Sequence, residues 1–205
     1  MKKLLLFSLI AGSLTLAACS NDDTASADKE KETSQSESTQ NNQDEKEDGS
    51  FYEEGFGQVK VIANGPKEAK KIDMDPMKVE LNNIRVVDVE LDKEMVEYLN
   101  DGRETLRGII IDVTAENTTE DDITFDPNQA IIVTDTGEQI ESDLGLMGDA
   151  GGDFLGKVTK EGSTWWFLDN IDKDVKRINV IISAPYDTQT GESIGEEKRI
   201  EFEIE

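Results

Sequence analysis

Through most of residues 51–205 apolar side chains recur at every second position, and this period limits the fold more than any other feature. Ile178, Val180 and Ile182 alternate with Asn179 and Ile181, and Ile200, Phe202 and Ile204 alternate with Glu201 and Glu203. Successive side chains of a strand point to opposite faces, so this period marks half-buried strands. Turn signals break the chain into candidate strands at 58–63, 78–91 with a kink at Asn82 and Asn83, 106–117, 122–125, 129–134, 138–142, 163–168, 176–183 and 198–203. Asp135-Thr136-Gly137 reads as a tight hairpin, and Thr190-Gly191 sits in a longer one.

One stretch departs from this period. Met95, Val96 and Leu99 stand at helical spacing between acidic residues, and Asn100-Asp101-Gly102 can stop a helix. A short helix over 92–99 is therefore expected between strands. No alternation of strands with long helices follows, so the expected fold is all-β, an antiparallel two-sheet sandwich with a short helical insertion. A closed barrel is the second arrangement that suits the pattern.

Residues 20–50 are of another kind. They are almost wholly Ser, Thr, Asn, Gln, Asp, Glu and Lys, with no aliphatic side chain larger than alanine. Such a segment cannot bury enough apolar surface to offset chain entropy and is expected to be a disordered tether. About 30 flexible residues reach roughly 30 Å. Residues 51–205 then form one domain of ordinary size.

The N-terminus combines Lys2 and Lys3, an apolar run from Leu4 to about Leu16, and small residues before Cys19. The run is too short for a conventional membrane span and fits a secretory signal. Leu16-Ala17-Ala18-Cys19 resembles the lipobox of bacterial lipoproteins. That resemblance implies diacylation of the Cys19 thiol, removal of residues 1–18 and a lipidated tether over 19–50. Cys19 is the only cysteine, so disulfides are absent and an exported chain would otherwise carry a reactive thiol. Two acyl chains hold a protein stably on a bilayer. The expected location is the extracytoplasmic face of the cell membrane.

Composition narrows the chemistry. There is no histidine, which excludes Ser-His-Asp and Cys-His catalysis and His-ligated zinc. The formal charge of -25 becomes -27 once Lys2 and Lys3 leave with the signal. Residues 51–205 carry 36 acidic against 16 basic side chains, a surface that repels nucleic acid and anionic headgroups.

The order of elements resembles the immunoglobulin-like domains that follow a lipobox and an acidic tether in many Gram-positive lipoproteins. The resemblance rests on the strand ending Asp112-Val113-Thr114-Ala115-Glu116-Asn117-Thr118-Thr119, on Ile131 to Gly137, on Gly162-Ser163-Thr164-Trp165-Trp166-Phe167 and on a closing strand pair. It implies an immunoglobulin-like sandwich and an extracellular place, and supplies no activity or site residues.

Candidate binding residues are few. Trp165 and Trp166 are adjacent in a strand and so point to opposite faces; one of them is free to be a stacking platform unless the helical insert covers it. The loop from Gly145 to Gly156 holds Met147 and Phe154 among glycines that let a backbone approach a partner closely, and a connection between sheets is its plainer role. Asp169, Asp172 and Asp174 are the best calcium candidates, although no acidic run has the glycine and final glutamate of an EF-hand loop. Paired carboxylates can run glycoside hydrolysis, but with so many acids their proximity carries little weight. The expected role is a non-enzymatic binding module contacting another envelope protein or a wall polymer, without a required cofactor. An accessory surface lipoprotein without a specific ligand and a wall-glycan hydrolase are its competitors.

Overall fold

The computed structural model describes residues 49–205 apart from Asn100 and Leu144. Cys19, the signal and the tether lie outside the described residues. The strands are β1 (Phe51–Glu53), β2 (Gly57–Asn64), β3 (Lys70–Met74), β4 (Met77–Leu91), β5 (Thr105–Asn117), β6 (Ile123–Phe125), β7 (Ile131–Thr134), β8 (Gln139–Ile140), β9 (Gly152–Phe154), β10 (Thr159–Leu168), β11 (Arg177–Ile182), β12 (Tyr186–Asp187) and β13 (Lys198–Glu203). Among the described residues one helix, α1 (Lys93–Leu99), follows β4, and a single 3-10 turn covers Pro127–Gln129.

Three antiparallel sheets result. The largest runs β1-β2-β4-β5-β10, with β3 beside the first part of β4; the second runs β13-β11-β7-β8; the third is β12-β6-β9. The large and second sheets face each other across a core that includes Leu81, Ile84, Ile109, Ile111, Ile132, Trp166, Ile178, Val180 and Phe202. The third sheet contributes Ile123, Phe125 and Phe154 to the same core. The fold is thus an all-β sandwich with one short helix, not a closed barrel. At one margin the backbones of Asn64 and Glu205 exchange two hydrogen bonds of 2.9 and 2.8 Å, tying the end of β2 to the chain after β13.

The long strand β4 explains why its sequence does not alternate cleanly. Arg85 stands three positions after Asn82 where the partner strand moves only two, from Asp112 to Ile110. This bulge has Asn83 at φ 48, a left-handed conformation that asparagine tolerates better than most residues. Before the bulge the core takes Met77, Val79 and Leu81; after it the core takes Ile84 and Val86. The outer face correspondingly passes from Lys78, Glu80 and Asn82 to Arg85, Val87 and Val89.

That outer face carries a second apolar layer. Val59, Val87, Val89, Leu106, Ile110 and Trp165 are buried there beneath Phe51 and Phe56, with Met95 of α1 and Leu146 at the margin. The helix was expected between strands, and its structural task is to help cover this half of the sheet.

Candidate binding surface

The other half of the outer face stays polar and uncovered. Antiparallel register sets its side chains in rows across β3, β4, β5 and β10. One row is Asp73, Lys78, Glu116 and Thr159; the next is Lys71, Glu80, Thr114 and Glu161; a third is Asn82, Asp112 and Ser163. The first two rows bound a groove of about 470 Å³ whose lining includes Lys71, Asp73, Lys78, Glu80, Thr114, Glu116 and Thr159. Opposite charges directly across a pair of strands support the sheet modestly. Lys71 and Glu80 make such a pair at 3.5 Å, with the lysine side chain 82% exposed.

A tighter polar cluster marks the boundary with the apolar layer. Asp112 accepts hydrogen bonds from Ser163 Oγ at 2.5 Å and from Asn83 Nδ2 at 2.8 Å, and the Arg85 guanidinium lies 3.5 Å away. The same guanidinium stacks over Phe51 at 5.6 Å from the ring centre. The bulge makes this possible by turning Arg85 outward. The cluster can hold polar groups of a ligand.

The residues expected to bind a ligand lie elsewhere. Trp166 is 1% exposed in the core, where its Nε1 donates to Ala130 O at 2.7 Å. Trp165 is 5% exposed, edge-on to Phe51 and Phe56 at centroid distances of 6.4 and 5.9 Å. Phe154 is fully buried, with Lys160 Nζ 4.7 Å from its ring centre. These three side chains offer no platform to a solvent-borne ligand: both faces of the large sheet are covered where the two tryptophans emerge, and Phe154 of the third sheet packs into the common core. Met147 is half-buried, pairs by backbone with Thr164, and receives the Ser142 hydroxyl at 3.8 Å from its sulfur.

The glycines of the 145–156 loop do permit close approach, but to the chain itself. A Cβ on Gly148 would sit 2.7 Å from backbone atoms of Gly162 and Ser163, and one on Gly162 would sit 2.6 Å from Asp149 N. A Cβ on Gly151 would overlap Asn128 Oδ1 at 2.0 Å. Asn128 Nδ2 donates to Gly148 O at 2.6 Å, and Asp126 accepts the Gly152 N–H at 2.9 Å. The loop is packed down along β10.

Asp169, Asp172 and Asp174 are all exposed on the segment after β10. Among the described residues no three acidic side chains converge as a metal site. Protein groups hold this segment instead. Glu138 accepts the N–H groups of Asp169 and Asn170 at 2.8 and 3.1 Å, Arg107 donates to Lys173 O at 3.3 Å, and Asp135 accepts the Lys176 N–H at 3.1 Å. Arg107 is held by a two-pronged contact to Asp88, 2.7 and 3.0 Å, which with neighbouring Asp174 and Asp172 raises its pKa.

A search of curated proteins finds a chain from Bacillus subtilis strain 168, the SPbeta prophage-derived uncharacterized lipoprotein YonS, 28% identical over 160 residues that cover 77% of this chain and 71% of the relative. The chain has a lipoprotein relative in a Gram-positive bacterium. No family model matches. Among solved structures, a functionally unknown protein from Listeria monocytogenes EGD-e superposes with a TM-score of 0.50 at 15% identity, covering 71% of this chain and 86% of that one. The yjhA protein of Bacillus subtilis superposes with a TM-score of 0.44 at 13% identity, over 63% of this chain and 94% of its own. The Listeria likeness concerns the fold.

Proposed function

We propose that the chain is a lipid-anchored extracytoplasmic lipoprotein whose β domain is a non-enzymatic binding module, and that the uncovered outer strip is its binding surface. The observation that carries this reading is the unequal treatment of one sheet face: half is sealed by Phe51, Phe56 and α1, half presents a groove of about 470 Å³ lined by both charge signs. Concave sites of this volume with a few convergent polar groups are usual for small ligands and peptide segments. The lipoprotein relative and the Leu16 to Cys19 motif support attachment through lipid on Cys19.

The strand order supports an immunoglobulin-like reading of the sandwich. Sheet order β4-β5-β10 against β13-β11-β7-β8 corresponds to A-B-E against G-F-C, with β8 beside the C strand rather than beside E. The module works without a cofactor in this reading.

Attachment is tested by labelling cells with an alkyne fatty acid: wild type takes up label and Cys19→Ser does not. The surface is tested with a photo-crosslinking residue at Thr114 in the strip or, as a control, at Glu203 on β13. Adducts in intact cells from position 114 and none from 203 support the strip; equal yields at the two positions, or none at 114, remove it.

A further inference from the structure

We propose that the free edge of β3 takes an extended segment of a partner protein as an added strand, with side chains in the order basic, apolar, acidic; this rests on the strip being the binding surface. The direction of the β3 main chain follows from a bond on the far side of β4. Thr118 N–H donates to Pro76 O at 3.2 Å, and Met77 stands opposite Asn117. Even-numbered residues of β4 before the bulge therefore turn their main-chain groups to β5, and Met77, Val79 and Leu81 turn theirs to β3. Their partners Met74, Ile72 and Lys70 hold that ladder. Lys71 and Asp73 point their N–H and C=O groups the other way, and among the described residues nothing pairs with these four groups. Both residues are exposed, and with Ile72 they line the groove. The other margins of the large sheet are blunted: β1 has three residues, and along β10 the Asp143 N–H donates to Trp165 O at 2.8 Å and Met147 pairs with Thr164.

Charge alternates from strand to strand at this edge. Asp73, Lys78 and Glu116 follow one another in one row, and Lys71 and Glu80 begin the next. A strand added beyond β3 continues both rows with a base beside Asp73 and an acid beside Lys71. Between them an apolar side chain falls beside Ile72, on the core side of the sheet. The same pattern already lies against β3 from its paired side, where Lys78, Val79 and Glu80 stand opposite Asp73, Ile72 and Lys71. Because β4 is antiparallel to β3, an antiparallel newcomer carries the same order. Its residues facing Asp73 and Lys71 each exchange two main-chain hydrogen bonds, which supply affinity, while the matched charges supply specificity. A lysine on an edge deters strands that bring no acid to meet it, so Lys71 excludes unmatched segments.

The test is an NMR titration of the detergent-solubilised, isotope-labelled full chain with the end-blocked peptide acetyl-Met-Lys-Val-Glu-Leu-amide, which copies Met77 to Leu81. The amide signals of Lys71 and Asp73 move saturably and their hydrogen exchange slows. Exchanging Lys and Glu within the peptide weakens binding about tenfold, since two attractive cross-strand pairs become repulsive. A methyl group on the peptide's Lys or Glu nitrogen abolishes binding, whereas one on the Val nitrogen, which points away from β3, is tolerated. Lys71→Pro also abolishes binding; its nitrogen lies on the open side of an edge strand, so the ladder to β4 stays whole and thermal unfolding remains near wild type. Should that variant fail to fold, the peptide series on the wild type decides alone. No saturable shift at Lys71 and Asp73, equal affinity for the charge-exchanged peptide, or tolerance of the methyl group at all three nitrogens overturns the proposal. If crosslinks from Thr114 persist in that case, the strip remains the surface and only strand addition is lost; if they are absent too, the surface itself is wrong.

Discussion

The indole N–H of Trp166 donates to the carbonyl oxygen of Ala130 at 2.7 Å, inside the sandwich and away from water. Its neighbour Trp165 projects from the opposite face of β10 into the layer under Phe51 and Phe56. Trp166→Phe leaves a buried carbonyl without its donor and a void beside it, at a cost of about 2–4 kcal/mol. Trp165→Phe forfeits packing area only and costs about 1–2 kcal/mol. Urea unfolding of the two variants checks the order. A larger loss for Trp165→Phe would mean that the inner and outer faces of β10 have been exchanged.

Glycine in the 145–156 loop is a packing requirement. Gly151→Ala drives a methyl group into the Asn128 side chain, which is itself anchored to Gly148 O, and is expected to cost about 1–3 kcal/mol. Gly145→Ala meets only the flexible Asp143 carboxylate at 3.2 Å and changes stability by less than about 0.5 kcal/mol. Thermal unfolding compares the two. Equal, small effects would show a loop free of the turn that holds Asn128.

Arg107 ties together the large sheet and the segment that follows β10. Its planar fork spans Asp88 while a third N–H reaches Lys173 O, so a lysine cannot replace it. The Arg107 side chain is only 14% exposed, against 31% for Asp88, which places this contact between surface and buried pairs. Arg107→Lys is expected to cost about 1–3 kcal/mol. Hydrogen exchange at residues 170–176 should accelerate, and about 5 mM calcium, about fivefold above the Kd of the weakest extracellular calcium sites, should not restore it. Restoration by calcium would reinstate Asp169, Asp172 and Asp174 as ligands.

Period-two patterning carried most of the fold into view because burial on one face leaves a mark at every second residue. The closing strands at 177–182 and 198–203, the break at Asn82 and Asn83 and the helix before Leu99 are all recognisable that way. The strands β1, β3, β9 and β12 are not, being two to five residues long with too few apolar positions to show a period. Their partners define them: Ile72 and Met74 gain meaning only opposite Val79 and Met77. The candidate site was hidden for a related reason. Lys78, Thr114, Glu116 and Thr159 look like ordinary outward residues of three separate strands until register sets them side by side. The aromatics drew attention instead, and adjacent tryptophans do point to opposite faces; what the local pattern could not reveal is that Phe51 and Phe56, more than a hundred residues earlier, cover the outer one.

Tyr52 supplies a pH-dependent contact on the covered half of the sheet. Its hydroxyl donates to the Asp92 carboxylate, and the Asp92 main-chain carbonyl accepts the N–H groups of Met95 and Val96 in the first turn of α1. The hydrogen bond to Asp92, with minor help from burial and nearby carboxylates, raises the Tyr52 pKa above its ordinary value of 10.0. A raised value in the folded chain means that the contact is intact below about pH 10 and is lost as pH rises through the shifted value. Absorbance at 295 nm should therefore contain a late-ionising component that disappears in Tyr52→Phe and moves back towards the ordinary tyrosine range in Asp92→Asn. With that contact gone α1 loses its tie to β1, so amide exchange within the helix should speed up in Tyr52→Phe at neutral pH and in the wild type only in strong alkali. A titration identical in all three proteins would detach Tyr52 from Asp92 and leave Met95 and the bond from Asp92 N–H to Phe56 O to hold the helix on the sheet.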